Sequence, residues 1–517
     1  MSWRNLISAV AVVGVCGGAV AVGTVAQSST ATQVAADSGA VRDFLRAARL
    51  SCPVVASADE ESLVSAVAVP DTPGQDVPGS ATIADARGKP MTRVTVPGAT
   101  AQTDHDGSQI SAVGGLAPGL VSAQVVDDPR GEGKGLASTP CVAPGAESWF
   151  VGGGAAQGQR SVLTLTNPTA SDSLVDVAAY GKGGQLELAG DDGISVPAGD
   201  TVRVGIDTLA HGTDQVALRV RTRVGLISAA VVDDRMEGLT PMGTDVIGDA
   251  GSPEKTVVLA GMPAGAGGRE LQILAPTDSG KVRVRALTEN GPLPLLAGEP
   301  IDLRAGHLTV IDLTKELGGR AAAIEITGDT RVVAAASATT AVDESIKARR
   351  SAAVAAAERA LKQAKGDAAR SEAQATLERA ETANAIDPGE DIAWFGPAPV
   401  VPGTSAVTGL RKSLDASLLL SSADGTVTVK VSVLPAGQSG AEVRPARTVE
   451  VPGGSTVAVP LSGPTDTYTA IVTRTSGSGE LHAGHVQLAD GRSMTGYALA
   501  PLQVWTPVDR AQPVYGN

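Results

Sequence analysis

Aromatic side chains are almost missing from this sequence of 517 residues: three Phe, four Tyr and four Trp make up 2 % of it. Sugar-binding β-proteins stack their ligands on exposed aromatic rings, so glycan recognition has few candidates here. Trp3 lies in the leader. Trp149 and Trp394 are each followed by Phe at the start of an expected strand, where a core role is the better reading. Tyr180, Tyr468, Tyr497, Tyr515 and Trp505 are left as possible platforms.

Histidine is scarce too, with five in the chain. His482 and His485 stand three apart. On a strand that spacing points them to opposite faces, so they are not expected to share a metal. His307 sits in a glycine turn whose counterparts carry Asp200 and Ser455, which reads as a solvent-facing position. No G-x-S-x-G elbow is present. Gly152-Gly153-Gly154 lacks a following Lys-Ser/Thr, and Ser252-Pro253-Glu254-Lys255 matches S-x-x-K only inside a Gly/Pro loop. No catalytic, cofactor-binding or metal residues are therefore assigned, and the protein is expected not to be an enzyme. A cryptic hydrolase is the least supported alternative, since paired carboxylates are common in any acidic chain.

Positive charge is in deficit: 41 Lys and Arg against 55 Asp and Glu give a net charge of −14. Such a surface repels phosphate backbones, so nucleic acid is not an expected partner. The acidic pairs Asp127-Asp128 and Asp233-Asp234 lack calcium-loop spacing. With Arg130 and Arg235 beside them, they read as salt-bridged or solvated turns.

Only three cysteines occur, and Cys16 falls in an apolar run near the N-terminus. That run, Leu6 to Ala26, follows a single Arg4 and has no charge. About 20 residues at ~1.5 Å each span a bilayer core, so a membrane anchor with the rest outside is expected. Ala19-Val20-Ala21 would also suit signal-peptide cleavage, giving a secreted protein, but the run is long for that role. Export places Cys52 and Cys141 in an oxidising compartment, where two thiols pair, and a disulfide between them is expected.

What the chain does have is Ala, Gly and Val in short alternating runs. In WFVGGGAAQGQRSVLTLTNPTASDSLVDVAAYGKGG, Leu163 and Leu165 alternate with Thr164 and Thr166, Asn167-Pro168 breaks the run, and a second strand ends at a glycine turn. GLVSAQVVDD at Gly119–Asp128 returns as GLISAAVVDD at Gly225–Asp234, and reads as the closing strand of a repeated unit. The expected fold is mainly β: tandem immunoglobulin-sized β-sandwich modules with an N-terminal transmembrane or signal helix. The expected limits are 1–30 for the anchor, 31–51 for a linker, and 52–141, 142–248, 249–342 and 389–517 for four modules. One stretch, 343–388, is rich in Ala, Glu, Lys and Arg. It reads as a helical hairpin inserted between modules three and four, with Asp343 and Asp387-Pro388-Gly389 at its limits and Ile346, Val354 and Leu361 as a thin apolar stripe.

With WFVGGG, LTLTNP and DIAWFGPAP in place after a leader, the chain resembles an uncharacterised family of actinobacterial exported proteins known as a domain of unknown function. The resemblance implies no catalytic residues and covers most of the chain after Cys52. The resulting expectation is an extracytoplasmic scaffold or accessory of cell-envelope assembly, held to the cell membrane by Leu6–Ala26 and partnered by envelope proteins. A cell-wall glycan-binding protein is the alternative.

Overall fold

The computed structural model of the chain describes residues 43–506, apart from short stretches at 56–60, 105–106, 129–133, 189–192, 238–239, 342–343, 386–390, 438, 441 and 490–492. The anchor residues Leu6–Ala26 and the expected helix limits Asp343 and Asp387-Pro388-Gly389 lie outside the described residues. No helix among the described residues is long and apolar enough to cross a membrane.

The architecture is mainly β, and its sheets come in four facing pairs along the chain, the third pair being joined into one eight-stranded sheet by the 18-residue strand Ala322–Thr339. One sheet of each pair repeats a single antiparallel order. In the first pair, Glu61–Ala68 (β1), Thr100–Thr103 (β2), Leu120–Asp128 (β3) and Gly135–Pro140 (β4) run β2-β1-β3-β4. In the second, Gln159–Thr166 (β5), Thr201–Gly205 (β6), Ser228–Glu237 (β7) and Thr240–Ile247 (β8) run β6-β5-β7-β8. In the third, Arg269–Leu274 (β9), Leu308–Asp312 (β10), Ala322–Thr339 (β11) and Ile392–Phe395 (β12) run β10-β9-β11-β12. In the fourth, Asp415–Ser422 (β13), Ser455–Leu461 (β14), Leu481–Ala489 (β15) and Ser493–Ala498 (β16) run β14-β13-β15-β16.

The repeated ten-residue phrase is therefore β3 and β7, the same strand of two sheets. Its leading glycine has a conformational reason: Gly119 and Gly225 both hold a left-handed backbone, at φ +71° and +79°, which side chains with a Cβ rarely adopt.

Each pair closes over its own apolar cluster. In the fourth, Leu418 and Leu420 of β13 and Val459 of β14 meet Val407 and Val429 of the opposite sheet. The cores are also joined to one another. Leu419, between Leu418 and Leu420, points the other way and enters the third cluster. Alternation on a strand explains the unbroken Leu418-Leu419-Leu420 run: both faces are buried, so no polar face is needed.

β12 behaves in the same way. Ile392 and Trp394 fill the second core, while Ala393 and Phe395 fill the third. The Trp394-Phe395 stretch, expected to open the fourth module, is thus the fourth strand of the third sheet, paired with β11. The helical hairpin, Glu344–Gln363 (α1) and Asp367–Ala385 (α2), lies between β11 and β12 rather than after the third sheet pair. The two helices pack on each other through Ala357 and Leu377, with Val354 and Leu361 half-buried beside them.

The last strands form a closed circuit: β4 packs against β8, β8 against β12, β12 against β16, and β16 against β4. Phe44 and Trp505 complete the seam between the first and fourth pairs through an antiparallel bridge. Arg411 reaches Asp127 across the same seam at 3.6 Å.

Candidate functional site

The disulfide expected from the sequence is present between Cys52 and Cys141, whose Cα atoms stand 4.2 Å apart in the first core. The other expected positions are used internally. Trp149 is buried, stacks on Tyr180 at 5.9 Å, and donates its indole N–H to Glu147 at 3.0 Å. Arg219 bonds the same carboxylate; burial acts to raise Glu147, and the guanidinium outweighs it, so the pKa ends below its ordinary value. His482 and His485 are both buried on β15, with Nδ1 atoms against the carbonyls of Ala398 and Tyr497. Burial pushes His485 down to about 4, so it is neutral at pH 7. Among the described residues no group of three His, Cys, Asp or Glu is placed to hold a metal ion. Tyr468 is buried, Tyr180 nearly so, and Tyr515 lies outside the described residues.

The chemistry of the molecule converges instead on the strand circuit. Asp391 stands immediately before β12, fully enclosed. Its Oδ2 accepts the backbone N–H of Leu136 in β4 at 3.1 Å and of Met494 in β16 at 2.9 Å. Its Oδ1 accepts its neighbour Ile392 N–H at 2.9 Å, and the N–H of Thr244 in β8 also bonds the carboxyl. One side chain thus ties strands from all four sheet pairs. Its own backbone is held by Thr340, which donates its N–H to the Asp391 carbonyl and accepts the Asp391 N–H on Oγ1 at 2.8 Å. Close approach requires glycine at 243: with φ +104°, a Cβ there would collide with Asp391 Oδ1.

A second carboxylate, Asp245 of β8, lies beside the first. Its Oδ2 accepts the Trp394 N–H at 2.7 Å, and its Oδ1 accepts the Thr495 hydroxyl at 3.0 Å. Thr495 has one hydroxyl hydrogen and gives it to Asp245, so Ser138 of β4 donates to Thr495 Oγ1 at 2.8 Å. Directly across the sheet from Asp245 is Asp233 of β7. It accepts the Trp394 indole N–H at 3.0 Å, the Ser161 hydroxyl at 2.6 Å and the Arg235 guanidinium at 3.0 Å. Trp394 therefore bridges Asp245 with its main chain and Asp233 with its ring.

The electrostatics follow from burial without a cation. Asp391 is pushed up to about 7 by removal from water, against backbone N–H donors that favour the charged form. Burial likewise lifts Asp245 well above the usual carboxylate range, and the Asp391 charge adds to this. Arg235 is the cation of the cluster, but it contacts Asp233. Both Asp391 and Asp245 are enclosed and occupied by protein donors. What this arrangement does is fix the relative positions of β4, β8, β12 and β16.

Sequence reading assigned no role to Asp391, Asp245 or Thr495. The available signal was weak: a polar residue in each short strand that follows a closing strand, as in LASTP, GTDVIG and SMTGY.

A sequence model described as a family of unknown function (DUF5719) matches residues 94–385. No curated protein sequence matches the chain. Among solved structures, the pilus backbone (RrgB) from Streptococcus pneumoniae aligns over 89 % of this chain and 87 % of its own, at 8 % identity and a TM-score of 0.10. A glycoside hydrolase of family 32 from Bifidobacterium adolescentis aligns over 87 % of this chain and 99 % of its own, at 9 % identity and a TM-score of 0.13. Likenesses this low carry no argument about fold or activity.

Proposed function

The chain belongs to this family of unknown function, and from that premise we propose that it is a non-enzymatic extracytoplasmic scaffold or accessory of cell-envelope assembly. In this reading, Leu6–Ala26 anchors the chain and four tandem immunoglobulin-sized β-sandwich modules stand outside the membrane. The helical hairpin then projects from within the third module as the arm that meets envelope proteins.

The observation that carries the reading is the internal use of the chemistry-bearing groups. The buried carboxylates are bonded to backbone N–H groups, the buried histidines to carbonyls, and the two cysteines to each other. A chain that spends its polar groups on holding one arrangement of sheets is suited to presenting surfaces. The disulfide agrees with an exported location.

The test is in-cell crosslinking of the full chain, then affinity capture of the membrane-extracted protein and mass spectrometry. The comparison is a chain in which residues 344–385 are replaced by a short Gly/Ser turn. Recurrent capture of one envelope protein by the full chain, lost with the hairpin, supports the reading. Equal capture profiles from both chains would remove the hairpin from it, and recovery in the cytoplasmic fraction would end it.

A further inference from the structure

The seam that closes the circuit carries an aromatic pair unlike the buried ones. Phe44 and Trp505 lie face to face, with ring centroids 4.5 Å apart and planes 18° from parallel. Trp505 is 38 % exposed, whereas Trp149 and Trp394 are 4 % and 2 % exposed. Inward from the stack, Phe44 forms one wall of an open cleft of about 670 Å3, completed by Asp71, Thr72, Gly74, Gln75 and Asp76.

The polar groups of the cleft are of two kinds. Gln75 and Thr72 are held still: Gln75 Nε2 donates to the Val69 carbonyl at 2.8 Å, and the Thr72 hydroxyl donates to the same carbonyl at 2.7 Å. Asp71 and Asp76 are exposed and have no partner among the described residues. Asp71 also holds a left-handed backbone at φ +59°, a conformation that costs a non-glycine residue free energy and tends to persist where a site needs it. Arg46 adds a donor on the other side. Its guanidinium lies 5.5 Å from the Phe44 ring centre and donates to the Gly74 carbonyl at 2.8 Å.

We propose that the Phe44–Trp505 shelf and the Asp71–Asp76 cleft form a binding site for a neutral polysaccharide segment. The chemistry fits in three respects. A pyranose ring presents a C–H face that packs on an exposed aromatic ring, and Trp505 offers one. Its hydroxyls donate to carboxylates, and Asp71 and Asp76 are free acceptors fixed on a short loop. The same hydroxyls accept from a donor, and Arg46 stands at the shelf. A cationic ligand suits the site less well, because Arg46 already occupies the edge of the aromatic pair. An anionic one would meet both carboxylates. This inference goes beyond the scaffold reading and does not depend on it.

The test uses the full chain in detergent with the neutral oligosaccharides chitohexaose, cellohexaose and mannohexaose as probes, with isothermal titration calorimetry for affinity and tryptophan fluorescence for the site. Because Trp149 and Trp394 are buried, a saccharide-induced change in a Trp3→Phe background reports on the exposed indole, and adding Trp505→Phe should abolish it. Trp505→Ala should weaken binding at least tenfold, and Asp76→Asn about threefold to tenfold. Asp76 is exposed and unpartnered, so that variant keeps the test decisive if Trp505→Ala disturbs the seam. Failure of all three probes to bind, or affinity equal to the parent chain's in either Asp76→Asn or a folded Trp505→Ala, overturns the proposal.

Discussion

Asp391 Oδ2 accepts the backbone N–H of Leu136, a residue 255 positions earlier in the chain, at 3.1 Å. The same oxygen accepts the N–H of Met494, 103 positions later. A single carboxyl group therefore spans the first, third and fourth sheet pairs.

Asp391→Ala should be among the most damaging single changes in the protein. It strands the N–H groups of Leu136 and Met494 in a site closed to water. Each buried unsatisfied donor costs about 1–3 kcal/mol, so a loss of about 3 kcal/mol or more is expected in equilibrium denaturation. Asp391→Asn should fall short of rescue, because an amide NH2 replaces one of the two accepting oxygens. A denaturation midpoint within error of the parent chain would show that the hub does not hold the circuit.

Stability should decline as pH rises from about 4.5 to 7.5. Asp391 has a folded pKa pushed up by burial to about 7, and burial lifts its neighbour Asp245 well above the usual range, both above an unfolded carboxylate near ~3.9. Between those values the folded chain binds more protons than the unfolded one. Its advantage is fully present below the unfolded value and is lost as pH rises through the folded values. Glu147 and Asp214, lowered by Arg219 and Lys182, act in the opposite sense at lower pH, and the buried His485 and His482, pushed down by burial, offset part of the decline up to about pH 6.5, the unfolded imidazole value. Denaturant midpoints should therefore peak at mildly acidic pH, and Asp391→Asn should flatten the decline above it. A midpoint that rises steadily to pH 8 would contradict this.

The disulfide should be visible in the native protein and in its stability. Mass mapping without reductant should recover Cys52 linked to Cys141, a bridge closing a separation of 89 residues. In the chain-entropy picture a loop of that length contributes about 4–5 kcal/mol, so Cys52→Ala with Cys141→Ala should lower the unfolding midpoint markedly. Free thiols at both positions in freshly purified protein would refute the pairing.

Removing the helical hairpin should leave the sheets intact. Thr339 and Ile392 are register partners in β11 and β12, and Thr340 and Asp391 bond each other, so the strand ends already meet at the hairpin's base. Replacing residues 344–385 by four or five Gly/Ser residues should change stability by about 1 kcal/mol or less, since loop-closure cost varies slowly with length. A large loss would mean that the helices support the sheets.

Trp394→Phe separates the two uses of this residue. The ring still fills the second core, but Asp233 loses the indole N–H bonded at 3.0 Å. A cost of about 1–3 kcal/mol is expected from calorimetry, and Trp149→Phe, whose indole bonds the half-exposed Glu147, should cost less.

Local features of this fold are legible in the sequence, and distant ones are not. Leu163-Thr164-Leu165-Thr166 alternates with period two and is a strand; the Gly119 and Gly225 phrases mark equivalent strands; Ala-rich 344–385 is helical. Cys52 and Cys141 could be paired because they are the two cysteines outside the N-terminal apolar run, and the expectation of export made a disulfide the natural reading. Trp394-Phe395 was misleading for a physical reason. It matches Trp149-Phe150 as a dipeptide, yet the helical insertion hides that the chain returns to β11, and pairing across an insertion leaves no local periodicity. The hub was invisible for the same reason: Asp391, Asp245 and Thr495 are ordinary polar residues until the four sheets bring them together.

The circuit has a consequence for how the molecule is made. Met494 supplies one of the Asp391 donors and Trp505 the last bridge of the seam, so neither exists until nearly the whole chain has been synthesised. During that interval the first three sheet pairs wait with the strand faces of β4 and β12 uncovered, and Asp391 is short of a partner. A stop codon before residue 490 would then be worse than the loss of one sheet pair. It would leave an open arc with two uncovered strand faces, the kind of exposed apolar surface that makes incompletely folded chains prone to aggregate.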